Sequence, residues 1–202
     1  MKHLSTIPIC SNGLFIYKLD IKDDLDLKFK DEKFKDEKFI SRYGKFEAGK
    51  GEDMNVLRKY ENLNQEINKA VDETLEKILM LQNVNYRIFS SWLTKTAPGD
   101  FSRSHRHSNS WLSGVYYPKG DSGFSIRFHY DNRTQFFTPP TEYNIYNSTE
   151  WVIVPEDNHL ILFFSQLRHE IMLNQSNKDR YSLAFNILPK GGFGEEDSYN
   201  VF

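Results

Sequence analysis

Hydrophobic positions divide the chain into two textures that meet near residue 83. Between Glu52 and Met80, the residues Val56, Tyr60, Leu63, Ile67, Val71, Leu75 and Ile78 recur at steps of three and four. Lys, Glu, Asn and Asp occupy the places between them. The spacing predicts an amphipathic helix, or two in succession, with one apolar stripe to bury. After Asn83 the apolar residues gather in short runs, at 86–94, 112–117, 124–130, 151–155, 160–164, 168–173 and 181–188. Pro98-Gly99, Pro139-Pro140, Asp157-Asn158 and the polar segments 119–123 and 175–179 separate them. These runs read as strands. Their number and spacing predict an all-β sandwich or barrel, a jelly roll included.

Upstream the pattern is weaker. Ile7, Ile9 and Cys10 precede a Ser-Asn-Gly turn and Leu14-Phe-Ile-Tyr17 follows it, so 6–18 reads as the first strand region. Segment 29–39 repeats Phe-Lys-Asp-Glu-Lys between Phe29, Phe34 and Phe39. A period of five suits neither helix nor strand. The segment reads as solvated surface anchored by its Phe residues, with an interaction arm as the functional alternative. Beyond Pro189 a Gly-rich and then acidic stretch reads as a loose tail. The expectation is one domain over 1–202: support in 1–82, a β-core in 83–190 and a tail in 191–202.

Composition narrows the classes of function. The chain has 202 residues, enough for a sizeable core, and its 15% aromatic content favours strands. A formal net charge of -2 argues against a nucleic-acid partner or an anionic membrane surface. The single Cys10 excludes an internal disulfide and fits a reducing compartment. No apolar run is long enough to span a bilayer, and the N-terminus lacks a signal-peptide core. The expected location is therefore cytoplasmic, which leaves Asn147-Ser-Thr149 a glycosylation sequon in form only.

Candidate chemistry concentrates in Pro98–Lys119 and two later positions. His105 and His107 are one residue apart, a spacing that in an extended chain aims both at one point from a strand end. His169 lies in a later apolar run. Three neutral imidazoles suit Zn, Cu, Fe or Ni, and closed structural zinc would want a fourth ligand or cysteine. His3, His129 and His159 read as ordinary surface or hydrogen-bonded histidines. Arg180 opens the strand at 181–188. If His169 ends one strand and Arg180 begins its antiparallel neighbour, both reach the same cavity, where a guanidinium calls for an anion. Ser182 shares its face and can add a hydrogen bond.

In order, Pro98-Gly-Asp100, His105-x-His107, Ser113-Gly-Val-Tyr-Tyr117, Leu160-Ile-Leu-Phe163, His169 and Arg180-x-Ser-x-x-Phe-Asn186 resemble the 2-oxoglutarate/Fe(II)-dependent oxygenases. Within them the likeness is to a small group of bacterial and phage proteins, and it covers roughly 83–188. The resemblance implies a double-stranded β-helix (jelly-roll) core with N-terminal α-helices packed on one sheet. It implies Fe(II) on His105 and His169, and 2-oxoglutarate chelating that iron with its distal carboxylate on Arg180 and Ser182. Tyr116 or Tyr117 would add a hydroxyl. The family's usual second ligand is Asp or Glu two residues after the first His, where this chain has His107. His107 is a third ligand or stands behind the ligands. The implied partners are O2, 2-oxoglutarate and a primary substrate, a protein side chain or small molecule, that is hydroxylated at a C–H bond. A three-His cupin-like dioxygenase and a non-catalytic jelly-roll binding or phage-structural module are the alternatives. The loop 131–150 is long enough to serve as a lid.

Overall fold

The computed structural model of the protein describes residues 5, 12–34, 49–81, 83–130, 138–193 and 196–201. Its centre is two facing antiparallel sheets. The larger takes Leu14–Lys18 (β1), Gly49–Lys50 (β2), Tyr86–Thr96 (β3), Leu112–Tyr117 (β5), His159–Phe164 (β8) and Arg180–Pro189 (β10), in the order β1-β8-β5-β10-β3-β2. The smaller takes Ser102–His105 (β4), Ile126–His129 (β6), Glu150–Ile153 (β7) and Arg168–Ile171 (β9), in the order β4-β9-β6-β7. Gly192–Phe193 (β11) and Asn200–Val201 (β12) form a separate short pair. Strands that cross repeatedly between the two sheets make this the expected jelly roll.

Period-two alternation sorts the residues of the large sheet. In β10, Tyr181, Leu183, Phe185 and Ile187 turn outward into an apolar core shared with Leu93, Leu112, Tyr116, Leu160 and Leu162. Arg180, Ser182, Ala184 and Asn186 occupy the alternate places, toward the small sheet. There Val115, Tyr117, Ile161 and Phe163 meet Ile126, Phe128 and Ile171 in a second core. Gly114 sits under Phe185: a Cβ there would lie 2.2 Å from Phe185 Cζ and 2.7 Å from Leu162 Cδ2. Any side chain at 114 would push the Phe185 ring and Leu162 aside.

The helical support packs on the outward core. Leu25–Lys30 (α1) contributes Leu25 and Phe29, and Glu61–Glu73 (α2) contributes Leu63, Ile67, Ala70 and Val71, all buried. The expected single helix or pair over 52–80 is divided into a 3₁₀ turn at Val56–Lys59, α2, and a π turn at Thr74–Ile78. Tyr60 breaks the first junction with φ -120° and ψ 74°. Of the segment 29–39, Phe29 is fully buried and Phe34 packs against the same core, as anchoring phenylalanines should. Residues 35–39 and the predicted strand residues 6–11 lie outside the described residues.

Two expectations change. Ser102–His105 is a strand that its polar sequence does not announce. His169 and Arg180 are not on paired neighbours: β9 belongs to the small sheet and β10 to the large one. The connection 172–179, polar from Asn174 onward, carries the chain across, pinned where Asn174 Nδ2 donates to Thr96 O at 2.9 Å and Lys178 O at 2.8 Å. The two side chains therefore approach from opposite walls.

Candidate metal centre

β4 and β9 pair with His105 directly opposite His169. His107 lies just past the end of β4, its backbone N–H donating to Ser165 O at 3.0 Å. One ring nitrogen from each of His105, His107 and His169 lies within 4.8 Å of the other two, and among the described residues no carboxylate or cysteine joins the cluster. The rings of His105 and His169 are 4.4 Å apart, and those of His105 and His107 are stacked at 5.3 Å.

Hydrogen bonds set the tautomers. Nδ1 of His105 lies 2.7 Å from Arg103 O, and Nδ1 of His169 lies 3.0 Å from Leu167 O. A carbonyl can only accept, so each Nδ1 carries the proton and each Nε2 keeps its lone pair. Nδ1 of His107 lies 2.5 Å from Asn186 Oδ1, with the same consequence. Burial pushes His169 down to about 3, against the Leu167 hydrogen bond and helped by the neighbouring histidines. It also lowers His107, opposed by Asn186. These are three neutral nitrogen donors in the form a divalent transition metal requires.

The triad lines a cavity of about 450 Å³ with Trp92, Ser182, Ala184 and Asn186 on the large sheet and Ile126 and Ile171 on the small one. No Asp or Glu lines it among the described residues. Arg180 lies along the same inner face of β10, two residues beyond Ser182, and is 2% exposed. Its Nη2 donates to Thr96 Oγ1 at 3.0 Å, and its guanidinium carbon sits 5.5 Å from the Tyr117 ring and 5.7 Å from the Phe124 ring. Among the described residues Arg180 Nε and the Tyr117 hydroxyl have no hydrogen-bond partner. Burial lowers the Arg180 pKa and raises that of Tyr117, each opposed by the other. Two orphaned donors beside a buried cation make a slot for a carboxylate.

Of the two tyrosines, Tyr117 shares this interior with Arg180. Tyr116 faces the helices, where its hydroxyl donates to Asn158 Oδ1 at 2.6 Å. Residues 138–149 do not line the cavity, and 131–137 lie outside the described residues. His129 and His159 face Glu170 and Glu156, each at 3.5 Å, away from the triad. Thr96 escapes a reading of the sequence because nothing in a Thr at a strand end announces a partner for Arg180. Asn186 is visible in the Arg180-to-Asn186 motif, but its role is not.

A family model described as "Putative 2OG-Fe(II) oxygenase" matches residues 90–186, which include the triad, Arg180, Ser182 and both tyrosines. Over that stretch the chain is similar to the 2OG-Fe(II) oxygenases. Solved structures share the fold at low identity. The non-heme alpha ketoglutarate dependent epimerase SnoN from nogalamycin biosynthesis superposes with TM-score 0.62 at 9% identity, covering 90% of this chain and 81% of that one. A Pseudomonas putida prolyl-4-hydroxylase gives 0.54 at 16%, covering 87% and 92%. HygX from Streptomyces hygroscopicus, solved with nickel, 2-oxoglutarate and hygromycin B bound, gives 0.59 at 9%, covering 88% and 83%. No curated protein compared with this chain matches it. No helix among its described residues is long and apolar enough to cross a membrane.

Proposed function

We propose that the chain is a 2-oxoglutarate- and Fe(II)-dependent dioxygenase that hydroxylates a C–H bond of a protein side chain or small molecule. The observation that carries this reading is the pairing, in one barrel interior, of a three-histidine cluster with an anion slot that no described residue fills. His105, His107 and His169 would hold iron through Nε2. Arg180, Ser182 and the Tyr117 hydroxyl would take the distal carboxylate of 2-oxoglutarate, leaving Tyr116 a structural residue. Bound together with O2, iron and co-substrate supply the oxidising chemistry, with succinate and CO2 as co-products. The chain's own work is positioning and exclusion. Thr96 steadies one arm of the guanidinium, and Val115, Ile126, Phe163 and Ile171 keep water from the reacting centre. The structural neighbours include an epimerase as well as a prolyl hydroxylase, so the fold is compatible with more than one outcome of hydrogen abstraction.

Anaerobic visible absorption tests the reading. A charge-transfer band should appear only when Fe(II) and 2-oxoglutarate are both present, and His169→Ala should abolish it. Arg180→Ala should require about 10- to 150-fold more co-substrate, the loss of a hydrogen bond to a charged group. Iron binding without the band would favour a three-His dioxygenase that needs no 2-oxoglutarate. Absence of iron binding would favour a non-catalytic module.

A further inference from the structure

The three histidines are not held alike. His105 and His169 each donate to the backbone carbonyl two residues upstream, an arrangement any strand residue can supply. His107 is held instead by side chains brought from four other parts of the chain. Asn186 Oδ1 meets its Nδ1, and Ser113 Oγ lies 3.2 Å from the same nitrogen and donates to Asn186 Oδ1 at 2.8 Å. Behind them Ser165 Oγ lies 2.8 Å from Ser113 Oγ and 2.9 Å from Ser110 Oγ. Ser110 donates to Leu112 O at 3.0 Å, and Asn186 Nδ2 donates to Ser90 Oγ at 3.3 Å.

Ser113 and Ser165 are fully buried. Interred hydroxyls cost stability unless each finds a partner, and a satisfied network fixes a single arrangement. Proton counting leaves little freedom. Each hydroxyl has one hydrogen, and the ladder ends on the Leu112 carbonyl. The order Ser113 to Ser165 to Ser110 to Leu112 O satisfies all three, and Asn186 Oδ1 then takes the His107 proton. In the other order Ser113 donates to Asn186 Oδ1. A third order, with Ser113 donating to His107 Nδ1, would set that nitrogen's lone pair against the Asn186 oxygen; because an amide oxygen has no proton to give, His107 Nδ1 must donate.

We propose that Asn186, seconded by Ser113, is the positioning residue that makes His107 a metal ligand. Its carboxamide oxygen fixes the Nδ1–H tautomer and turns the Nε2 lone pair toward His105 and His169. This rests on the iron-site reading above and adds to it the device by which a third imidazole serves at that position.

The test reads the tautomer directly. In metal-free protein labelled with ¹⁵N-histidine, long-range ¹H–¹⁵N correlation should show His107 protonated at Nδ1 alone. Asn186→Leu should give a mixture of tautomers at His107 only and weaken Co(II) binding by about 10- to 100-fold, the usual cost of losing such a partner. Asn186→Asp keeps an acceptor and should retain both the tautomer and most of the affinity, a rescue that a merely space-filling role would not give. Should Asn186→Leu not fold, Ser113→Ala must still speed solvent exchange of the His107 Nδ1 proton. An Nε2–H signal for His107 in the wild type overturns the inference. So do unchanged tautomer and affinity in Asn186→Leu, or unchanged exchange in Ser113→Ala. Co(II) binding that responds to Asn186 without any 2-oxoglutarate-dependent band would sink the oxygenase reading and leave this one standing.

Discussion

Arg180 carries a charge into the barrel that its described neighbours do not balance. A hydroxyl and two aromatic faces are its surroundings, and a hydroxyl cannot neutralise a guanidinium. On the proposed function, 2-oxoglutarate would supply the anion this guanidinium lacks among its described neighbours. Replacing even a paired buried charge cluster by well-packed hydrophobic residues is often worth about 1–4 kcal/mol, an unpaired charge has no Coulombic gain to lose, and each kcal/mol moves the melting temperature about 2–4 °C at this size. Arg180→Met should accordingly melt several degrees above the wild type without ligand. It should also lose most of the stabilisation that 2-oxoglutarate with iron gives the wild type, about 2.7 kcal/mol at 100 times Kd. Thermal melts with and without both ligands check this, and a destabilised variant would mean that Arg180 is already satisfied. The residues of this site were legible in unequal degree. His105, His107, His169 and Arg180 stood out because their chemistry is costly to bury without a purpose. The choice between Tyr116 and Tyr117 was closed to the sequence, since alternation says that one faces in but not which.

At the level of elements, the apolar runs announced β5 to the residue, because every side chain from Leu112 to Tyr117 is buried. The sequence did not announce β4. Ser-Arg-Ser-His has no hydrophobic period to read, and its strand form comes from pairing with β9 across the His105–His169 register. The helix stripe marks a layer that packs as a buttress on the sheet, but its breaks at Tyr60 and Thr74 depend on tertiary packing. That buttress is separable from the chemistry. Ile67 is fully buried among helix and sheet residues on the outward side of the large sheet. Ile67→Ala should cost about 2–5 kcal/mol in denaturant unfolding. Co(II) affinity should stay within twofold of the wild type, and a parallel loss would mean that the two layers are coupled.

For the molecule as a whole, the alternation of each central strand separates two faces with different work. One face of the large sheet is oil against the helices, and the other is the wall of the site. A near-neutral chain thus keeps its described acids out of the cavity and leaves there three imidazoles and the Lys50 ammonium, with one guanidinium beyond them. The sequence indicated the jelly roll through the number of its strands. It could not show that the histidine-bearing β9 and the arginine-bearing β10 belong to different sheets, because the switch is made by a polar connection with no periodicity of its own. That division has a mechanical consequence. On the proposed function, a metal held by β4 and β9 and joined to an anion held by β10 would be a rivet through both leaves of the sandwich. Hydrogen exchange at β4 and β9 should slow modestly with metal alone and much further when 2-oxoglutarate closes the span, while β1, on the far edge, stays unaffected. Breathing of the two leaves against each other would then be greatest in the empty protein, when substrates must enter, and least once the oxidising charge is loaded.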